Sequence, residues 1–329
     1  MPKFDYSKIC EDIFSTLPVR QKEILERRFG ILTGEKETLD CIGKDFNLTR
    51  ERIRQIENES FAKMEREKEK RELKKVFFYF QKYFKENGGL KREDVLLDDL
   101  GGDEFNKHIY FLLTFANDFF RVPEDDKFYS FWTIEKGITY KIENILKSIL
   151  KKFEEMNKLL SEDEILKKTK PEPEILHSLL EIAKRIEQDK ENNYYGLTDW
   201  PEIKPKGVKD RAYLVFKKEQ KPLHFTALAE LINNKAHAQT VHNELIKDDR
   251  FVLVGRGIYA LKEWGYENGT VKEVIFEVLK KEKNPISRQE LLKKVQNQRL
   301  VKENTILLNL SNREYFIKDE NGNYSLKDF

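Results

Sequence analysis

Four stretches of this chain end on one recurring pattern, and that recurrence limits the fold more than any other feature. The endings are Tyr129-Ser130-Phe131-Trp132, Tyr195-Gly196-Leu197-Thr198-Asp199-Trp200, Tyr259-Ala260-Leu261-Lys262-Glu263-Trp264 and Tyr324-Ser325-Leu326-Lys327-Asp328-Phe329. They fall roughly 65 residues apart, which is too long for a solenoid repeat and suits a small domain. Each comes after an apolar start: Phe119 to Val122, Arg185-Ile186, Phe251 to Val254, and Tyr315 to Ile317. The tips Gly255-Arg256-Gly257 and Asn321-Gly322-Asn323 are short-turn signals, so start, tip and ending read as a β-hairpin. The second copy is the weakest, because its tip, Glu187 to Asn193, is long and polar.

Helical signals precede each hairpin. Val271, Ile275, Phe276, Val278 and Leu279 keep a helical period, as do Val241, Leu245 and Ile246. Ser161 and Ser287 each stand three residues before a glutamate, which is capping-box spacing. Helices and then a two-stranded hairpin are the order of a winged helix. The expected fold is therefore mainly α with small β-hairpins: a helix-turn-helix at residues 1–66, then four tandem winged-helix-like modules at 67–137, 138–205, 206–267 and 268–329.

Composition agrees with several small modules rather than one large core. The 329 residues are 36% charged and 39% hydrophobic, and small domains expose much surface for their volume. The 23 Phe and 13 Tyr supply bulky core material. No stretch approaches the roughly 18 apolar residues of a membrane span, and Met1 to Cys10 lacks the apolar centre of a signal peptide. Cys10 and Cys41 are the only cysteines, which excludes a disulfide framework or a four-cysteine zinc site and suits a reduced, cytoplasmic setting. Cys41 reads as a small buried helix residue. His224, His237 and His242 cluster in one module without zinc-motif spacing, so neither a metal nor a cofactor is expected. There is no phosphate-cradling glycine loop, no His-Glu-x-x-His and no supported Cys-His pair, so an enzyme is not expected.

The N-terminal stretch has another pattern. Ile24, Leu25 and Phe29 form one helix face, Leu39, Ile42 and Phe46 a second, and Ile53, Ile56 and Met64 a third. Gly43 permits close helix approach, Asn47 suits a turn, and Thr49 caps a helix beginning at Arg50. Two short helices joined in this way make a helix-turn-helix, which places the start of its second helix in a DNA major groove.

On these residues the stretch Leu17 to Met64 resembles region 4 of the bacterial primary sigma factors of RNA polymerase. Arg28-Phe29-Gly30-Ile31, Thr38 to Phe46, and above all Thr49-Arg50-Glu51-Arg52-Ile53-Arg54-Gln55-Ile56-Glu57 carry the resemblance, over about one-seventh of the chain. It implies reading of a promoter −35 element and docking on the polymerase beta-subunit flap. It puts Arg50, Glu51 and Gln55 on base-reading positions, and Arg20 and Arg28 on phosphate-contacting ones. The side-chain chemistry agrees, since Arg grips guanine, Gln suits adenine and Glu accepts from cytosine. Arg52, Arg54 and Lys44 add candidate phosphate contacts. No counterpart of a melting segment or −10 reader is found, and nothing but a short tail is expected before residue 17. Promoter opening by this chain alone is therefore not expected. Asn58-Glu59 stand where the family often carries a small and a basic residue.

Residues 207–264 resemble the HARE-type winged helix-turn-helix, a family that includes the N-terminal domain of the polymerase delta subunit. Val215-Phe216, Pro222 to Thr226, Thr240 to Leu245 and Phe251 to Trp264 carry that likeness. Gln239, Thr240, Asn243 and Arg256 become a second candidate DNA or partner site. Charge separates the modules: the first two winged segments together hold about four net negative charges and the last two about six positive ones, behind a total of +2. The acidic tip Pro123-Glu124-Asp125-Asp126-Lys127 would repel phosphate.

The expected function is a DNA-binding, sigma-like transcription regulator of the bacterial cytoplasm, nucleoid-associated, with double-stranded DNA and core RNA polymerase (through the beta flap) as partners and no membrane. The alternatives are a delta-like polymerase adaptor working through protein contacts and, more remotely, a restriction or nuclease accessory subunit.

Overall fold

A computed structural model describes residues 4–189, 192–232, 236–282 and 284–327, which fall into two units, 1–199 and 200–329. The chain is mainly helical with small antiparallel strand pairs. Among the described residues no helix is long and apolar enough to cross a membrane.

The first unit opens with four helices: α1 (Tyr6–Phe14), α2 (Val19–Phe29), α3 (Leu39–Asp45) and α4 (Arg50–Met64). Helix α1 stands where only a short tail is expected from the sequence. Asp5 caps it by accepting from the Lys8 amide at 2.9 Å. Tyr6, Cys10, Ile13 and Phe14 are buried at helical spacing, and this stripe packs on a later helix, α6.

After α4 come α5 (Arg71–Glu86), β1 (Leu90–Arg92), α6 (Glu93–Phe115), β2 (Phe120–Val122) and β3 (Phe131–Thr133). Strand β3 lies between β1 and β2, antiparallel to both. Helix α6 is two helices in series: Gly102 (φ 59, ψ −169) breaks it, a backbone conformation that L side chains rarely adopt. The chain continues through α7 (Thr139–Met156), α8 (Glu162–Thr169), α9 (Pro173–Ile182), β4 (Ile186–Gln188) and β5 (Tyr195–Leu197). Ser161 and Glu164 form the expected capping box at α8. The tip between β4 and β5 lies partly outside the described residues.

One core binds the N-terminal helices to α5 and α6. Leu25, Phe29 and Met64 bury with Phe80, Phe84, Phe111 and Phe115, and Phe29 meets Phe111 edge-on at 5.2 Å between ring centres. The region-4-like segment therefore shares part of its packing with α5 and α6. The segment from α7 to β5 is locked on equally firmly. Lys91 pairs with Glu181 at 2.6 Å with both side chains largely buried. Gly88 (φ +68) lies so near α9 that a Cβ there would stand 2.1 Å from the Glu174 carbonyl oxygen. The acidic tip 123–127 is no free wing: Glu124 pairs with Lys184, Lys127 pairs with Glu143, and Phe128 bridges to Ala183.

The second unit holds α10 (Gly207–Glu219), β6 (Leu223–His224), α11 (Phe225–Leu231), α12 (Ala238–Lys247), β7 (Phe251–Gly255) and β8 (Ile258–Leu261). It continues with α13 (Val271–Lys281), α14 (Arg288–Gln298), α15 (Glu303–Leu310), β9 (Phe316–Lys318) and β10 (Tyr324–Leu326). Strand β8 sits between β6 and β7. Ile286 pairs with Tyr324 as an isolated bridge, at the place where β6 pairs in the preceding segment. Arg299, 3% exposed, ties the two segments together by donating to the Glu267 and Gly269 carbonyls at 2.5 and 2.8 Å.

Candidate nucleic-acid interface

The turn between α3 and α4 is set by a few residues. Ile24, Ile42, Ile53 and Ile56 bury against one another and fix the three helices. Asn47 takes φ 54, a left-handed conformation that Asn tolerates better than most residues. The chain then folds back so that the Leu48 amide donates to the Gly43 carbonyl at 2.8 Å. A Cβ on Gly43 would stand 2.7 Å from the Leu48 carbonyl oxygen, so the close approach needs glycine. Thr38 and Thr49 cap α3 and α4, each hydroxyl accepting from an amide three residues on at 3.2 Å. Cys41, expected inside, is exposed: it sits on the first turn of α3, and Ile42 and Gly43 face the core instead.

This places Arg50, Glu51 and Gln55 on the exposed opening turns of α4, where the helix dipole is positive. The side chains are already arranged among themselves. Arg54 grips Glu51 with two hydrogen bonds of 2.8 and 2.6 Å, which hold the Glu51 carboxyl below the usual range. Arg52 donates to Gln55 and to Glu59, both at 3.1 Å. Arg50 approaches Asp40 at 3.8 Å and keeps 70% of its side chain exposed. Exposed pairs of this kind are worth about 0–1 kcal/mol, so a polyanion could displace them cheaply.

The other candidates divide. Arg20 is exposed, lies 5.5 Å from the Phe46 ring centre and reaches its carbonyl at 3.5 Å. Lys44 is exposed on α3. Arg28 is spent internally: it donates to the Glu37 carbonyl at 3.0 Å and lies 3.6 Å from Glu57. Burial raises the Glu57 carboxyl, and Arg28 opposes that shift. Arg27, for which the sequence suggests no role, braces the N-terminal helices. It makes two hydrogen bonds to Glu37 (2.8 and 2.6 Å), contacts Asp45, and lies 5.8 Å from the Phe46 ring centre. Lys36 is equally silent in the sequence. Its ammonium sits 2.9 Å from the Tyr110 ring centre, and burial pushes its pKa down to about 8. Neither role has a local sequence signal, since the partners arrive from other elements.

In the second unit, Gln239, Thr240 and Asn243 are exposed on α12, and Gln239 donates to Asn243 at 3.1 Å. Arg256 is exposed at the hairpin tip, but its flanking glycines have packing duties. The Leu300 amide donates to the Val254 carbonyl at 2.7 Å, and a Cβ on Gly255 would stand 3.1 Å from the Leu300 carbonyl oxygen. A Cβ on Gly257 (φ +71) would meet His224 Nε2 at 2.5 Å. Among the described residues no group of three His, Cys, Asp or Glu is placed to hold a metal ion.

Comparison with known proteins gives the same location. Residues 13–66 match the family described as sigma-70, region 4. RNA polymerase sigma factor SigA of Clostridium acetobutylicum is 44% identical over 62 residues, 19% of this chain and 16% of that protein. SigA of a Bacillus species is 42% identical over 64 residues, 20% of this chain and 17% of that protein. The chain thus spans about one-sixth of the length of these relatives, and the likeness belongs to the helix-turn-helix segment: the first helices of the chain resemble a sigma-factor DNA-binding region.

Proposed function

We propose that this chain is a DNA-binding transcription regulator of sigma-factor-like type that reads a promoter −35-like element through α4. One observation carries the reading: a capped helix-turn-helix, in the segment similar to sigma region 4, exposes Arg50, Glu51 and Gln55 on the opening turns of its second helix. Such turns enter the major groove, where these three side chains can discriminate base edges. Arg20, Lys44, Arg52 and Arg54 would set register on phosphates, and Arg28 would act by holding α2 against α4. The segments at 67–137, 138–205, 206–267 and 268–329 serve as winged-helix-like modules appended to this reader, the third of HARE type.

A second reading, a polymerase-associated adaptor in a bacterial cytoplasm, is favoured by the near-neutral reading face, where arginines alternate with Glu51, Glu57 and Glu59. A contact with the polymerase flap would have to use a surface other than the apolar side of α2 and α4, which α1 and α6 already cover. Selection from a randomised duplex pool with the full chain tests the first reading: it should enrich a motif a few base pairs long, and a pool without enrichment overturns it. Retention of core RNA polymerase on the immobilised chain after nuclease treatment would support the second.

A further inference from the structure

The last segment carries a groove unlike anything on α4. Between α15 and the β9–β10 hairpin lies a cavity of about 750 Å³, within the size range of ligand pockets. Its apolar lining includes Leu307, Phe316 and Ile317, and Ile317 is 44% exposed. Ser311 also lines it, and Leu308, 74% exposed, lies three residues before Ser311 on the same helix face. Around this floor stand Arg313, Lys318 and Lys327, with no acidic side chain in the lining. All three are exposed, and among the described residues none is ion-paired.

A helix and hairpin presenting leucine and isoleucine are poorly suited to a phosphodiester surface. Phosphate against Leu308 and Ile317 would lose hydration without gaining a donor. The same face suits a chain that brings apolar side chains for the groove and carboxylates for its rim. We infer that this groove is the docking site for an acidic, leucine- or phenylalanine-bearing helical segment of a partner protein. Apolar anchors one turn apart would enter beside Leu307 and Ile317, and flanking carboxylates would meet Arg313, Lys318 and Lys327. Charge complementarity and the uncovered apolar area select this occupant together: cations alone would take any polyanion, and leucines alone any greasy helix. The inference stands apart from the reading of α4, because it uses none of the same residues.

The test is fluorescence anisotropy with the full chain and three labelled probes. One is a synthetic helical peptide with leucines at i, i+3, i+4 and i+7 and glutamates elsewhere. The second replaces those leucines with serine, and the third is a 20-base-pair duplex. The leucine peptide should bind, and the serine peptide should bind at least ten-fold more weakly. Leu308→Gln with Ile317→Gln, both exposed changes, should weaken the leucine peptide about ten-fold, and Arg313→Glu with Lys318→Glu should do the same. Duplex binding should be unchanged in both double variants. Equal binding of the two peptides, no binding of either, or duplex binding lost in the double variants would overturn the inference; the last result would make this face a nucleic-acid surface.

Discussion

Replacing Arg50 with alanine tests the reading of α4 most directly, because the structure separates its effect on binding from its effect on folding. The Arg50 side chain is 70% exposed, and its ion-pair approach to Asp40 is 3.8 Å long. A surface pair of that length contributes about 0–1 kcal/mol, and the N-cap supplied by Thr49 is untouched, so the unfolding midpoint should move by less than about 3 °C. Binding should respond differently. A bidentate arginine–guanine contact is worth about 1–3 kcal/mol of discrimination, which is about 5- to 150-fold in affinity. That loss should fall on one base pair of the selected site. Competition anisotropy with duplexes substituted one position at a time measures it: Arg50→Ala should flatten the preference at a single position and leave the others intact. Lys44→Ala, by contrast, should weaken all duplexes alike and reduce the salt dependence. An Arg50→Ala loss equal across every duplex, or no loss, would refute base reading by this residue.

The packing gives three further expected outcomes. Gly43→Ala forces a Cβ to within 2.7 Å of the Leu48 carbonyl oxygen and should destabilise the helix-turn-helix by about 1–3 kcal/mol, read from chemical denaturation. Lys91→Met leaves Glu181 buried without its partner and should cost about 3–5 kcal/mol; adding Glu181→Leu should restore much of it, and failure of that rescue would argue against a pairing role. Lys36 has its pKa lowered in the folded chain to about 8 from an ordinary 10.5, so between these values the unfolded chain binds more protons. Stability should therefore be lowest below about pH 8 and rise as pH climbs towards 10.5, and Lys36→Met should abolish that rise in thermal melts monitored against pH.

Helix α4 is legible in the sequence because its determinants are local. Thr49, the apolar spacing of Ile53 and Ile56, and the exposed arginines between them act within one or two turns, and Gly43 and Asn47 mark the turn themselves. The hairpins are legible for a similar reason: their strands alternate about tips such as Asn321-Gly322-Asn323, where Gly322 takes φ +88. The internal contacts of Arg28 are not legible, because its partners, Glu37 and Glu57, come from a loop and from another helix. Cys41 departs from its expected burial because α3 turns Ile42, not its neighbour, to the core.

Sequence by itself determined much of the alphabet of this protein: most of its helices and hairpins from α2 onward, and which residues of α4 stand exposed after its cap. Those properties arise from hydrogen bonds, caps and apolar periods spanning a few residues. Tertiary structure alone decided how the pieces combine. Helices α1, α2, α4 and α6 share one aromatic core; Glu124 of the acidic tip pairs with Lys184; and Arg28 is set beside Glu57. Each of these depends on groups brought together from distant positions, where burial and charge act through space and leave no periodic trace along the chain.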